Sequence, residues 1–447
     1  MAAPTLVHGP HTPADLLLRD VHVLDPRQSI DARHDVLVRN GEIAELGAPG
    51  TLSGEHGGEV IEGRGRHLLP AFFDPHVHLR TPGQEHKEDL ETGTRAAAAG
   101  GFCGVIAMPN TDPVLDSAPL LRSLRDSAAR EARVPVGFLG AITRGLQGVE
   151  LTEMAELRAE GALGFTDDGR PVASAGVLRK ALQYQRLCGG VLTLHEEDPT
   201  LSKGGAMHEG VVSTALGVGG IPSVSESTMV ARDAALAAYE DGRVHFQHLS
   251  CAASVEAVAA AKAKGWKVST EVSPHHLLLT EEHVRTLDTR MKMNPPLATE
   301  VDRHALIEGL RAGVIDCVAT DHAPHAREEK EVPFEQAPMG TTGLETAFAA
   351  LHTELVLPGV LTLELLVTRM SAGAALFDLP TPIIAVGERA NVTLVDLAAE
   401  WTAGEHGWES RSENCCFAGR RLHGRVLLTL AAGAVAYRER AFSVVRG

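Results

Sequence analysis

The sequence predicts an α/β protein, a TIM (β/α)8 barrel with a small β-sandwich domain formed by the N- and C-terminal segments. Short apolar runs alternate with amphipathic, Ala- and Leu-rich segments through the middle of the chain, while both chain ends contain only strand-like runs. Polar residues stand at the end of one central apolar run after another. A TIM barrel places functional side chains at the carboxyl ends of successive parallel strands, whereas an open doubly wound sheet collects them at one switch point.

The two chain ends predict the small β domain. The expected strands are Leu16 to Leu24, Asp35 to Arg39, Glu42 to Leu46, Glu59 to Glu62, Ala390 to Asp396 and Arg425 to Tyr437. An Asn40-Gly41 pair predicts a hairpin turn after the second strand, and Gly433 predicts another inside the last. We expect residues 1–67 and 373–447 to combine into one β domain beside a barrel of residues 68–372.

The barrel is predicted from its strands and from the polar residues at their ends. Apolar runs that indicate strands include Gly104 to Met108, Val134 to Leu139, Gly190 to Leu194, Arg243 to Gln247, Lys267 to Glu271 and Ile315 to Ala319. The polar residues at strand ends are His76 and His78, Asn110, Asp167 and Asp168, His195, His248, His275 and His276, and Asp321 and His322. These residues are expected to face one shared pocket.

Composition excludes several classes of function. The formal net charge is -17, and the sequence contains no cluster of Lys and Arg residues that could bind phosphates. A nucleic-acid partner is therefore not expected. No apolar run reaches the length of a membrane span, and the first 20 residues lack a signal pattern, which predicts a cytoplasmic protein. The six cysteines form no CxxC pair, so neither a disulfide framework nor a cysteine zinc site is expected.

The 22 histidines supply the first chemical signal, because many stand beside Asp, Pro or another His. His76 and His78 are two residues apart at a strand end, so both imidazoles face the same side and can bind one metal ion. His195, His248 and Asp321 each come directly after an apolar run. A single histidine more often satisfies a local hydrogen bond, and an aspartate at such a place is often a helix cap. The His76-Val77-His78 pair with further candidates downstream favours a metal centre.

Four histidines and a carboxylate exceed what one tetrahedral zinc ion needs, so a pair of zinc ions per subunit is the economical interpretation. Two ions at close separation must share a bridging carboxylate. The Gly164-to-Gly169 segment offers two adjacent candidates, Asp167 and Asp168, and its residue pattern alone does not choose between them.

Six motifs together resemble the class I, bacterial dihydroorotases of the amidohydrolase superfamily. The motifs are His76-Val77-His78-Leu79-Arg80-Thr81-Pro82-Gly83, Ala107-Met108-Pro109-Asn110-Thr111, Phe165-Thr166-Asp167-Asp168-Gly169, Val272-Ser273-Pro274-His275-His276-Leu277, Lys292-Met293-Asn294-Pro295-Pro296-Leu297 and Ala319-Thr320-Asp321-His322-Ala323-Pro324-His325. They occur in order through the whole predicted barrel. Thr81 departs from the pattern, since relatives often carry an acidic residue there.

The resemblance implies a dihydroorotase, which reversibly hydrolyses the ring amide of L-dihydroorotate to N-carbamoyl-L-aspartate in pyrimidine biosynthesis. It implies metal ligands His76, His78 and Asp321 for the first zinc ion and His195 and His248 for the second, with Asp168 as the bridge. It implies Asp321 as the catalytic acid–base group. The residues implied to bind substrate are Arg80, Asn110, Asn294, His325, Met339 and Gly340. It also implies a small-molecule substrate as the main partner, a homodimer, and a possible association with aspartate carbamoyltransferase.

Charge supports the substrate expectation, because dihydroorotate carries a carboxylate that the guanidinium of Arg80 can hold with two charge-assisted bonds. The charged segment 326–338 lies shortly after Asp321 and suggests a mobile flap over the pocket. Two other hypotheses compete. Dihydropyrimidinases, hydantoinases and allantoinases bind rings without this carboxylate and usually carry a bridging lysine, which this segment lacks. A metal-free scaffold for carbamoyltransferase would be expected to have lost ligands, and this chain retains all six.

Overall fold

The structure, a computed structural model, describes residues 5–52, 58–440 and 442. In chain order its strands are β1 (Leu16–Asp25), β2 (Ile30–Arg39), β3 (Glu42–Gly47), β4 (Glu59–Glu62), β5 (His67–Pro70), β6 (Phe72–Val77), β7 (Phe102–Ala107), β8 (Val136–Gly140), β9 (Gly164–Phe165), β10 (Val191–Leu194), β11 (Met207–His208), β12 (Gly220–Ile221), β13 (Val244–Phe246), β14 (Val268–Val272), β15 (Cys317–Val318), β16 (Val392–Thr402), β17 (Arg421–Ala431) and β18 (Ala434–Arg438).

The α-helices alternate with the central strands. They are α1 (Leu90–Ala99), α2 (Ala118–Glu131), α3 (Met154–Glu160), α4 (Ala175–Cys188), α5 (Pro199–Ser202), α6 (Val211–Leu216), α7 (Val224–Tyr239), α8 (Ala252–Ala263), α9 (Pro274–Leu278), α10 (Glu300–Ala312), α11 (Arg327–Lys330), α12 (Ala347–Leu351) and α13 (Leu363–Met370). In the part of the chain that the structure describes, no helix combines the length and the apolar character needed to cross a membrane.

Eight parallel strands form the barrel, in the order β6-β7-β8-β9-β10-β13-β14-β15. A parallel bridge between Val77 and His322 brings the last strand next to the first, and the amide of His78 donates to the carbonyl of His322 at 2.9 Å. The strands are almost wholly buried, because helices cover the outside of the barrel and side chains fill its interior. The predicted barrel is confirmed.

The second large sheet has the order β18-β17-β16-β5-β1-β2-β3, and β4 pairs with the first half of β1. It joins the two chain ends, because β5 pairs with β1 on one side and with the C-terminal β16 on the other. The small β domain built from both ends is confirmed. The sequence pattern does not single out β5, a four-residue strand that leads directly into the barrel, or the first five residues of β2.

Asn40 and Gly41 form the expected hairpin turn between β2 and β3. Both have positive φ, 48° and 75°, as a two-residue turn matching the strand twist requires. All six cysteines are buried and free within the described residues, consistent with the absence of a disulfide framework.

Candidate metal centre and substrate cavity

The candidate ligands come together at the carboxyl ends of five barrel strands. His76 lies in β6 and His78 stands immediately after it, while Asp168, His195, His248 and Asp321 come after β9, β10, β13 and β15 within three residues. His248 and Asp321 have positive φ, 28° and 48°. Residues other than glycine rarely adopt this conformation, and where they do it often serves a functional site.

Asp168 lies at the centre of the cluster, with a nitrogen of each histidine near its carboxylate. Its Oδ1 is 3.6 Å from His76 Nε2, 3.5 Å from His195 Nδ1 and 3.7 Å from His248 Nε2, and its Oδ2 is 3.5 Å from His78 Nε2. Asp321 Oδ1 lies 3.4 Å from His76 Nε2 and 3.1 Å from His78 Nε2. The ligand atoms form two groups that share His76, one with His78 and Asp321 and the other with Asp168 and His248, and His195 Nδ1 lies 2.9 Å from His248 Nε2.

The opposite ring nitrogens of three histidines have their own partners. His76 Nδ1 is 2.7 Å from Glu271, His78 Nδ1 is 2.9 Å from the amide oxygen of Asn110, and His195 Nε2 is 3.3 Å from Glu197. An oxygen acceptor at one ring nitrogen fixes the proton there and leaves a lone pair on the other. In each of these rings the free lone pair therefore points towards Asp168.

This donor set fits a metal ion. His76 Nε2 is completely buried and has no hydrogen-bond partner among the described residues, although it lies between two carboxylates. Its ligand atom is within 4.8 Å of those of His78 and Asp321, and likewise of those of Asp168 and His248. Imidazole nitrogens combined with carboxylate oxygens suit divalent transition metals, zinc among them.

Electrostatics in the cluster depend on burial and on the neighbouring imidazoles. Burial alone would raise the pKa of Asp168, but the imidazoles of His76, His195 and His248 beside its carboxylate hold it well below its usual value. The pKa of Asp321 is also lowered, because His76 and His78 outweigh the effect of burial. Both carboxylates are therefore anionic and able to bind a cation.

Asp167, the other candidate for the bridge, faces away from the cluster. Its Oδ1 accepts from the backbone amides of Ile142 and Thr143 at 2.8 and 2.9 Å, and its Oδ2 accepts from the Thr143 hydroxyl. This side chain fastens the loop after β8 to the loop after β9. The structure thus brings Asp168, and not Asp167, to the other candidate ligands.

A cavity of about 310 Å³ opens beside the cluster. Its wall contains every residue for which the sequence suggests a substrate contact, namely Arg80, Asn110, Asn294, His325, Met339 and Gly340. Arg80 is only 8% exposed, and its Nε donates to the Pro324 carbonyl at 3.1 Å. Burial lowers the pKa of Arg80 to about 10, opposed by the charges of Asp321 and Asp168, so the side chain is cationic at neutral pH.

The charged segment 326–338 runs along the cavity, with several exposed residues and with one lysine, Lys330, buried against backbone carbonyls. Lys330 is 7% exposed, and its ammonium donates to the carbonyls of Thr289, Lys292 and Pro338. Lys292 in turn donates to the carbonyls of Phe334 and Glu335. These bonds connect the segment to the residues before Asn294, and Met339 and Gly340, which follow the segment, line the cavity.

The sequence analysis does not identify the carboxylates that contact the histidine ring nitrogens facing away from Asp168. Glu271 and Glu197 each accept from a candidate ligand, and Gln247 lies 3.2 Å from His76 Nδ1. A glutamate within the otherwise uncharged strand β14 is the one signal that could have indicated Glu271, since a buried charge needs a partner.

His275 and His276 lie in α9, outside the cavity wall. His276 Nδ1 contacts the Ser273 hydroxyl at 2.7 Å, and its Nε2 donates to the Pro295 carbonyl at 2.9 Å. Their expected place at a strand end is correct, but the contacts of His276 are with the backbone and side chains of neighbouring loops.

Comparison with known proteins gives one consistent set of relatives by sequence. The family described as Dihydro-orotase-like matches residues 65–254. A dihydroorotase from Anaeromyxobacter dehalogenans (strain 2CP-C) is 44% identical over 427 residues, covering 95% of this chain and 98% of that protein. A dihydroorotase from Acetivibrio thermocellus is 41% identical over 426 residues, covering 95% and 99%.

Similar solved structures carry different names. An L-hydantoinase (dihydropyrimidinase) from Arthrobacter aurescens superposes with a TM-score of 0.84 at 25% identity, covering 94% of this chain and 96% of that one. A dihydropyrimidinase from Brevibacillus agri gives a TM-score of 0.82 at 25% identity, covering 96% of each chain. The barrel and its β domain are thus shared with enzymes named for other cyclic amides.

Proposed function

The chain belongs to the dihydroorotase family, and from this premise we propose that its cavity binds L-dihydroorotate and N-carbamoyl-L-aspartate over a pair of zinc ions. Dihydroorotase activity interconverts these two molecules by hydrolysis and closure of a ring amide, so the chain is a cyclic amidohydrolase. The observation that carries the substrate assignment is buried, cationic Arg80 in the wall that also contains five of the six candidate metal ligands. A substrate carboxylate can pair with its guanidinium there through charge-assisted hydrogen bonds.

His76, His78 and Asp321 would hold one ion and His195 and His248 the other, with Asp168 shared between them. Amidohydrolases of this kind are metal-dependent; zinc as the element and two as the number are our proposal, supported by the mixed imidazole and carboxylate donors. When bound, such ions would act as Lewis acids towards the amide carbonyl and the attacking water.

The chain's own residues would then orient the substrate and move the proton. Arg80, with Asn110, Asn294 and His325, would bind the carboxylate and ring, and the backbone of Met339 and Gly340 would also contact the ring. Asp321 would accept the proton of the attacking water and pass it to the departing ring nitrogen. In the ring-closing direction Asp321 would donate that proton to the leaving hydroxyl.

Hydantoinase activity is the alternative that the similar solved structures raise. Identities of 41–44% to dihydroorotases over nearly the whole chain, against 25% to the hydantoinases, favour dihydroorotase. The test is a steady-state comparison of kcat/KM for dihydroorotate, dihydrouracil and allantoin with zinc-loaded protein. We expect dihydroorotate to be preferred by a large factor, and a preference for dihydrouracil would overturn the proposal.

The remaining expectations stay predictions from the family and the sequence. They are a homodimer, a cytoplasmic location, a possible association with aspartate carbamoyltransferase, and domain boundaries at residues 67/68 and 372/373.

A further inference from the structure

Glu271 is a buried carboxylate that contacts two histidines from inside the barrel. It lies in β14 and is 1% exposed. Its Oε1 is 2.7 Å from His76 Nδ1, and its Oε2 is 3.0 Å from His245 Nε2. The other nitrogen of His245 is 2.9 Å from the hydroxyl of Ser269. A chain of hydrogen bonds therefore runs from Ser269 through His245 and Glu271 to His76.

This chain of hydrogen bonds determines which nitrogen of His76 carries the proton. A carboxylate only accepts hydrogen bonds, so both imidazole nitrogens that face Glu271 must be donors. The Ser269 hydroxyl can then donate to the second nitrogen of a neutral His245, and every member of the chain is satisfied. His76 is left with its proton on Nδ1 and its lone pair on Nε2, the atom that faces Asp168 and Asp321.

A second group competes for the same nitrogen. The side-chain amide nitrogen of Gln247 lies 3.2 Å from His76 Nδ1, and donation from this amide would require the opposite tautomer. The contact with Glu271 is shorter, at 2.7 Å against 3.2 Å, and it involves a charged acceptor. Charge-assisted hydrogen bonds are about twice as strong as neutral ones, so the contact with Glu271 decides the tautomer.

We propose that Glu271 is a positioning residue for His76, fixing its tautomer and ring orientation for the first metal ion, and that His245 orients Glu271. This inference rests on the metal centre of the proposed function.

The three residues His245, Glu271 and Cys317 also lie close enough together to be a metal site themselves. Two features oppose that alternative. Both oxygens of Glu271 already accept hydrogen bonds from imidazoles, and Cys317 is completely buried, where the thiol is favoured over the thiolate that binds metals. The Cys317→Ser variant serves as a matched control, since it changes a buried neighbour without touching His76.

The experiment measures zinc affinity of the purified full-length protein by competition with a chelator, for wild type and for Glu271→Ala, Glu271→Gln and Cys317→Ser. We expect Glu271→Ala to weaken the binding of one zinc ion by about 10–100-fold. Glu271→Gln keeps an oxygen acceptor for His76 Nδ1, and its amide group requires only that His245 change tautomer. The zinc affinity of Glu271→Gln should therefore lie between those of wild type and Glu271→Ala. Cys317→Ser should bind two zinc ions like wild type.

Unfolding temperatures with and without zinc separate positioning from a merely structural role. Positioning predicts that the zinc-dependent rise in Tm shrinks in both Glu271 variants, whereas a merely structural role predicts a lower Tm of metal-free protein with an unchanged zinc-dependent rise. Unchanged zinc affinity in Glu271→Gln together with a lower metal-free Tm would overturn the inference, as would loss of one zinc ion in Cys317→Ser. If Glu271→Ala fails to fold, Glu271→Gln decides the question. Absence of zinc binding in wild type would instead refute the proposed function.

Discussion

Replacing Arg80 by Met tests the substrate assignment, because it removes the buried cation while retaining a side chain of similar length. The Nε of Arg80 is engaged with the Pro324 carbonyl, which leaves the two terminal amino groups for a substrate carboxylate. Removing one partner of a buried, hydrogen-bonded charge pair costs about 2–5 kcal/mol. At about 1.4 kcal/mol per tenfold change, kcat/KM for dihydroorotate should fall between about 30-fold and several thousand-fold.

The assay compares kcat/KM for dihydroorotate and dihydrouracil, since dihydrouracil lacks the carboxylate. The loss should be confined to dihydroorotate, and Arg80→Lys should lose less than Arg80→Met because it keeps the charge without the two-pronged geometry. Arg290→Met is the matched control, because Arg290 lines a neighbouring cavity and pairs with Asp288. Equal losses on both substrates, or no loss at all, would refute the assigned role of Arg80.

Three further predictions concern acid–base chemistry, metal binding and stability. Asp321→Asn should lower kcat by about 10²–10⁴-fold with little change in Tm, and near-normal turnover would exclude Asp321 as the acid–base group. Asp168→Ala should lose zinc, whereas Asp167→Ala should keep its zinc content. Asp167→Ala should instead lose about 1–3 kcal/mol of stability, because two buried backbone amides lose their acceptor. Zinc analysis and urea unfolding distinguish the two variants. Burial raises the pKa of Glu345 from 4.5 to about 7, so the folded protein binds more protons than the unfolded chain in this window and stability falls as pH rises through it. Glu345→Gln should therefore gain stability relative to wild type as the pH rises through that window in urea unfolding of metal-free protein, and a pH-independent difference would contradict the raised pKa.

The sequence predicts which side chains come together wherever their placement follows from strand period and from the common rim of a barrel; their roles stay predictions. His76 and His78 share a face because strand geometry has a period of two, and His195, His248 and Asp321 converge because barrel strands end at one rim. These relations require only that the strands form a barrel, and not which side chains of neighbouring strands contact one another. The substrate residues are a different case, because Asn294, His325, Met339 and Gly340 are expected from the family resemblance and not from strand geometry, and they too line the cavity.

Relations between strands are harder to predict from the sequence. That Glu271 contacts His76 depends on how β14 and β6 face each other across the barrel interior, which no local pattern encodes. The segment 326–338 has the composition of a solvated loop, yet Lys330 is buried there and held by backbone carbonyls contributed by distant residues. The choice between Asp167 and Asp168 likewise depends on which way each side chain points.

The function proposed for this chain requires that the six side chains gathered at Asp168 hold two adjacent metal ions. Diffraction data from crystals of zinc-loaded protein, collected on both sides of the zinc absorption edge, would locate these ions. We predict two anomalous peaks, one beside His76, His78 and Asp321 and the other beside His195 and His248, with the Asp168 carboxylate between them. A single peak, or peaks that Asp168 does not contact, would contradict the proposed metal centre.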